Sequence, residues 1–245
     1  MLSWLLAPMD VASAHDVGWH LSWHARIMVL AWGVLAPLGV LIARFFKIMP
    51  GQDWPRRLDH NFWWNTHRFC QYSACVLMVI GAVIIWNAPA LTIKPGPHAY
   101  FGWTILSLAV VQICGGILRG TKGGPTAPAP DGTLRGDHFD MTPRRLAFEY
   151  VHKVAGYLAL AVSVVAILTG LWQANAPNWM WLSLLIWWSG LTVSGVFMQT
   201  RGMAVDTYQA IWGPDPALPG NQRKPIGIGV SRRADMVSDV GPDGS

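Results

Sequence analysis

The chain is short of charge. Asp, Glu, Lys and Arg make up 13% of its 245 residues, against 52% hydrophobic residues, and the mean hydropathy is +0.32. An average soluble domain carries about a quarter charged residues, so this composition argues against one and points to a membrane protein. Cysteine is scarce as well. Cys70, Cys75 and Cys114 all fall inside apolar runs, where they read as core thiols and not as a disulfide framework. Acidic residues number 13 against 18 basic ones, a net charge of +5. The surplus does not signal nucleic acid, because the basic residues sit in the connections between apolar runs. The start, MLSWLLAP, has no basic residue, and the weak Ala12-Ser13-Ala14 site follows a very short apolar run, so no signal peptide is expected. No soluble domain and no solenoid repeat is evident.

What the chain has is apolar length. The stretch Phe148–Leu171 carries no charge after Lys153 and is long enough to cross a bilayer core at about 1.5 Å per residue. Four more runs have the same character, at about 23–43, 63–88, 98–118 and 179–199. The expected fold is an all-α integral membrane protein of five transmembrane helices, with a four-helix core and one peripheral helix. Residues 1–22 are expected as an external segment, 23–200 as the membrane domain and 201–245 as an extended or disordered cytoplasmic tail. Fifteen Trp residues, many near span ends, suit the membrane interfaces. Lys and Arg crowd the loops after the first and third spans and the tail, which predicts an external N-terminus, a cytoplasmic C-terminus and a multi-pass location in the cell membrane.

Four histidines begin apolar spans: His24, His67, His98 and His152. Successive spans run antiparallel, which puts His24 and His98 near the outer face and His67 and His152 near the cytoplasmic face. One such residue alone would read as an interfacial side chain. Four at matched depths are what two bis-histidine b-type haems need, and ionisable residues inside spans are functional by default. Covalent c-type attachment is not expected, because C-x-x-C-H is absent. His15, His60 and His138 are expected in solvent, while His20, one turn before His24, is a candidate substitute ligand.

Glycines repeat in phase with these histidines. Gly102 and Gly156 lie four residues after His98 and His152, and Gly116 and Gly170 lie eighteen after, so the third and fourth spans share H-x3-G-x13-G. Eighteen residues are about five turns, which returns both glycines to the histidine face and leaves room there for a flat macrocycle. A single glycine would instead suit plain helix packing. Arg44, Arg68, Arg144, Arg145 and Lys153 at one face, and Arg26 and Lys94 at the other, are candidate partners for anionic haem edges. For most of them the topology signal or snorkelling is the simpler reading. Arg44 is the preferred candidate, although it lies twenty residues after His24, roughly on the opposite helix face.

The segments WHARIMVLAWG, THRFCQYSACVLMVIG, PHAYFGWTILSLAVVQICGG and VHKVAGYLALAVSVVAILTGL resemble the four core helices of the cytochrome b-561 family. Met28, Gln112 and Arg44 match as well. The resemblance implies a di-haem transmembrane electron carrier in which His24 pairs with His98 and His67 with His152, with ascorbate-dependent ferric reductases among its relatives. Trp64, Asn65 and Thr66 stand where that family usually has a basic residue tied to ascorbate. The loop before the fourth span is also longer and richer in Gly and Pro.

The leading expectation is therefore an oxidoreductase with two non-covalent haems b. It would pass electrons from a donor at one membrane face to an acceptor, with ferric iron a candidate, at the other. A quinol, an ascorbate-like reductant or a partner redox protein are the donor classes left open. Membrane lipid is an expected partner, nucleic acid is not, and a homodimer stays open. One alternative is a cytochrome b anchor subunit working between quinone and a partner oxidoreductase. Another, of a different class, is a haem-free transporter or structural protein.

Overall fold

The structure, a computed structural model, describes residues 2–13, 15–89 and 96–233. It contains five helices long and apolar enough to cross a membrane: Trp19–Phe45, Asn61–Trp86, Pro97–Leu118, Pro143–Gln173 and Asn178–Thr200. The chain is a multi-pass, all-helical membrane protein. Short helices at Leu2–Leu6, Asp137–Asp140 and Thr207–Trp212 complete the regular structure of the described residues. Lys94 lies outside the described residues.

The described chain divides into two compact units. One comprises 1–40, 68–112 and 155–195, and the other 41–67, 113–154 and 196–245.

In the first unit the fourth span ends at Gln173, and Asn175 takes a left-handed conformation, φ 47°. The Ala176 N–H then donates to the Leu171 carbonyl at 2.9 Å, a chain reversal that glycine or asparagine makes at least cost. The N-terminal segment is fastened to this turn. Asn178 N–H donates to the Ala7 carbonyl, and Asn175 bonds the carbonyls of Asp10 and Ser13.

The first span is irregular for a local reason. Residues Val29–Leu35 are π-helical, and Pro37 follows. Proline has no N–H to give to the residue four positions earlier, so the Gly33 carbonyl loses its helical donor. In a membrane that carbonyl must be satisfied by protein. Trp187 and Trp188 of the fifth span both donate their indole N–H to it, at 2.9 and 3.1 Å. Ile167, Leu171 and Leu184 pack with Val29 and Trp32 around this join.

The second unit holds the connections. Asp59 and Lys122 form a fully buried ion pair joined by the Thr126 hydroxyl, which ties the loop after the first span to the loop after the third. Residues 201–233 are folded, which corrects the expectation of an extended or disordered tail over that part; 234–245 lie outside the described residues. Val205, Tyr208, Ala210 and Ile211 are buried, with Val205 and Ala210 packed on Ile48 and Trp54. The segment closes on itself where Asp206 N–H donates to the Ser231 carbonyl at 2.9 Å.

Candidate functional site

His24 and His98 meet in the first unit. Their ring centroids are 5.9 Å apart with the planes at 86°. Each ring is held by a main-chain carbonyl of a neighbouring span: His24 Nδ1 bonds the Gly81 carbonyl at 3.0 Å, and His98 Nδ1 bonds the Ala166 carbonyl at 2.9 Å. A carbonyl only accepts, so Nδ1 carries the proton in both rings and Nε2 is left with its lone pair.

His67 and His152 meet in the second unit, with centroids 6.2 Å apart and planes at 79°. Phe148, one turn before His152, stacks on its ring at 5.0 Å and 29°. Arg145 extends this row, with its guanidinium 5.3 Å from the Phe148 ring. Arg119 lies 4.0 Å over the Trp64 ring.

The glycines differ in what a Cβ would meet. At Gly170 a Cβ would come within 2.9 Å of both Cε1 and Nδ1 of His98, so this glycine makes room for the imidazole itself. Gly156 faces the Gln112 amide at 3.5 Å. Among the described residues, a Cβ at Gly102 or Gly116 would meet no atom within 4 Å. Gly81 does two things, since its carbonyl holds His24 and a Cβ there would lie 3.2 Å from Met28 Cε.

Arg44 is fastened elsewhere. Its Nη2 donates to Gln199 Oε1 at 2.9 Å and to the Ile228 carbonyl at 2.6 Å, joining the end of the fifth span to the folded tail. Arg144 pairs with Asp137 at 2.7 Å. Arg26 lies 5.4 Å from the Trp23 ring, and Arg68 lies 5.7 Å from the Tyr72 ring.

His138 is not a solvated residue. It is 1% exposed, and burial pushes its pKa down to about 3, with the Arg145 charge adding to the effect. The Lys47 ammonium is buried against the Val205 carbonyl at 3.0 Å, and burial lowers its pKa to about 7. Sequence reasoning also missed Glu149, which is 6% exposed and pairs with Arg145 and Lys153 at 2.7 Å each. The R-x3-E-x3-K spacing was the available signal, because residues four apart share a helix face.

No family model and no solved structure matches the chain. Curated proteins do. A cytochrome b561, DM13 and DOMON domain-containing protein of Arabidopsis thaliana is 32% identical over 158 residues, covering 63% of this chain and 15% of that protein. Ferric-chelate reductase 1 of Homo sapiens is 28% identical over 173 residues, covering 67% of this chain and 24% of that protein. A second cytochrome b561 and DOMON domain-containing protein of Arabidopsis thaliana is 27% identical over 165 residues, covering 66% and 35%. The matched part of the chain thus spans about a third or less of the length of these relatives.

Five apolar spans make the chain a multi-pass membrane protein, and its matches are to cytochrome b561 and ferric-chelate reductase proteins. Over about two thirds of its length the chain is similar to proteins named for cytochrome b561.

Proposed function

We propose that the chain carries electrons across the membrane on two non-covalent haems b, one between His24 and His98 and one between His67 and His152. The geometry of the two imidazole pairs carries this reading. Two imidazoles that shared one metal ion at about 2 Å each would have ring centroids no more than about 6 Å apart. The two separations, 5.9 and 6.2 Å, fit that spacing. Among the described residues no group of three or more His, Cys, Asp or Glu could hold a metal ion. Two facing imidazoles make a centre only where a macrocycle supplies the remaining nitrogens. At the first pair, the Nδ1 bonds to backbone leave Nε2 free to ligate, and such partners fix tautomer and ring orientation. The bare backbone at Gly102 and Gly116 offers surface for a flat ring.

Haem supplies reversible one-electron chemistry, and the protein's residues do the rest. His24 with His98 and His67 with His152 would hold the two groups, and the chemistry these would supply there is electron transfer. The apolar spans exclude water, and the charges around His152 help to set that centre's potential. The distribution of Lys and Arg supports a reading with His67 and His152 at the cytoplasmic side of the cell membrane and the N-terminus outside. The resemblance to ferric reductases, and not the topology, suggests flow from the His67/His152 side to the His24/His98 side. The name of the human relative suggests ferric iron as the acceptor, and the donor is a quinol, an ascorbate-like reductant or a redox protein.

A second reading has its own support. The relatives are several times longer than the matched stretch, and two carry DOMON domains by name. A cytochrome that passes electrons to a partner redox domain fits that arrangement. Both readings require two haems, and a pyridine haemochrome assay of purified protein should return two haems b per chain. One haem or none would refute both and favour a transporter or structural role.

A further inference from the structure

The folded tail lies across the start of the fourth span, next to His152. Three cations from other parts of the chain end on its main chain. Arg44 donates to the Ile228 carbonyl at 2.6 Å, Lys47 to the Val205 carbonyl at 3.0 Å and Lys153 to the Ile226 carbonyl at 2.8 Å. Gln199 adds a bond to the Gly229 carbonyl at 2.7 Å. Ile226 is buried and packs with Met141 and Tyr208. The cavity left between tail and span, lined by Glu149, Lys153, Asp206 and Tyr208, is about 10 Å³, room for a single water molecule and for no reductant.

A groove of about 680 Å³ opens elsewhere in the same unit, along Met49, Gln52, Leu58, His60 and Pro125. It ends on Asp59, whose side chain is fully buried against Lys122 and Thr126, and Lys122 Nζ stands 5.9 Å from the ring of buried Trp63. Exposure beside His152 is apolar instead. Tyr150, Val151 and Val154 are each more than half exposed, and apolar surface on a membrane span is offered to lipid. We infer that the tail caps the His67/His152 centre against water-soluble reductants, so that its donor is a neutral hydroquinone arriving from the lipid side. The inference rests on reading that pair as haem ligands and narrows the donor of the proposed function. Oxidation of one hydroquinone to the quinone gives up two electrons, one for each centre. Its two hydroxyl protons pass to water at the membrane surface.

The cap can be opened at two glycines. Gly227 and Gly229 hold φ of 129° and 62°, where valine is strained. A side chain at Gly227 would also press on Val230, and one at Gly229 on Gln199 and Arg44. The double variant Gly227→Val/Gly229→Val, as full-length holoprotein in nanodiscs, should release the tail. Hydrogen exchange at the Asp206 and Ser231 amides, which bond the Ser231 and Ala204 carbonyls, reports that release. Reduction of the His67/His152 haem is timed with ascorbate, a hydrophilic probe, and with duroquinol, a lipophilic one. Both rates are taken relative to those with free bis-imidazole haem. Release should speed ascorbate about tenfold or more and change duroquinol less than about twofold, with haem content and midpoint potential held. An ascorbate rate that stays the same once the tail is released overturns the cap. If exchange shows the tail still docked, Ile226→Asp, which puts a charge between Met141 and Tyr208, takes the variant's place in the same comparison. Should neither variant fold with its tail released, wild-type protein decides. The cap requires its relative rate with ascorbate to be about tenfold or more below that with duroquinol, and equal relative rates overturn it. Failure of the haem reading itself is recognised separately, when His67→Ala and His152→Ala do not damage one common haem.

Discussion

The two histidine pairs are spaced almost alike, at 5.9 and 6.2 Å, and are held by different means. In the first unit the rings are oriented by main-chain carbonyls of other spans, at Gly81 and Ala166. In the second, His152 is oriented by a stacked phenylalanine and stands beside ionised side chains that reach into folded loops and tail. Where the chain is enclosed by apolar spans, the backbone itself must supply the polar contacts. Where it meets its connections, side-chain charge is available and can be used to tune a centre. The difference implies that the first pair is sensitive to shape and the second to charge.

That contrast can be broken at several points, in descending order of effect. Lys122→Met leaves the Asp59 carboxylate buried without its ion-pair partner, and removing one member of a buried pair costs about 3–5 kcal/mol. Thermal unfolding in detergent should fall accordingly, with the His67/His152 haem lost before the His24/His98 haem. Equal loss of both would erase the distinction between the units. Gly170→Leu forces a side chain against the His98 ring, and overpacking costs about 1–3 kcal/mol. Its spectral change should be confined to the His24/His98 centre, and a change at His67/His152 would contradict the assignment.

A pH series sharpens the comparison from the other side. The His138 pKa is about 3 in the folded chain, against an ordinary 6.5. Between those values the unfolded chain binds a proton that the folded chain refuses. Stability should therefore fall as pH drops from about 6.5 toward 3, and this contribution should be flat above 6.5. Lys47, lowered to about 7 from 10.5, adds a rise in stability as pH climbs through that upper window. Melting curves of His138→Gln should lose much of the acid slope, and an unchanged slope would place its origin elsewhere. The smallest effect belongs to Trp187→Phe, which removes one of two donors to the Gly33 carbonyl. With Trp188 still in place the loss should be about 0.5–1.5 kcal/mol.

Much of the fold was legible because a bilayer imposes length and apolarity on whatever crosses it. The five runs at about 23–43, 63–88, 98–118, 148–171 and 179–199 became spans, lengthened at most ends by polar and aromatic turns such as Trp19–Ser22 and Pro143–Ala147. Helical phase also marked residues sharing a face, but not what each face meets. Gly170 was legible as a place needing room, whereas the ring it accommodates is that of His98. The connections obey no such period. Residues 201–233 are rich in Pro, Gly and charge, so composition suggested an open chain. Their burial comes instead from irregular packing of Val205, Tyr208 and Ile211, which no periodic pattern announces. His138 was misjudged for the same reason, since it is buried by loop closure and not by membership of an apolar run.

The pairing of histidines is the centre of the account, and haem-resolved spectroscopy of four single and two kinds of double variant tests it most directly. His24→Ala and His98→Ala should each abolish one low-spin haem signal, the same one, and their combination should add little to the loss. His67→Ala and His152→Ala should abolish the other signal, and doubles that cross the pairs should remove both. If His24→Ala and His67→Ala are found to damage a common haem, the pairing is wrong and the two-centre account fails with it.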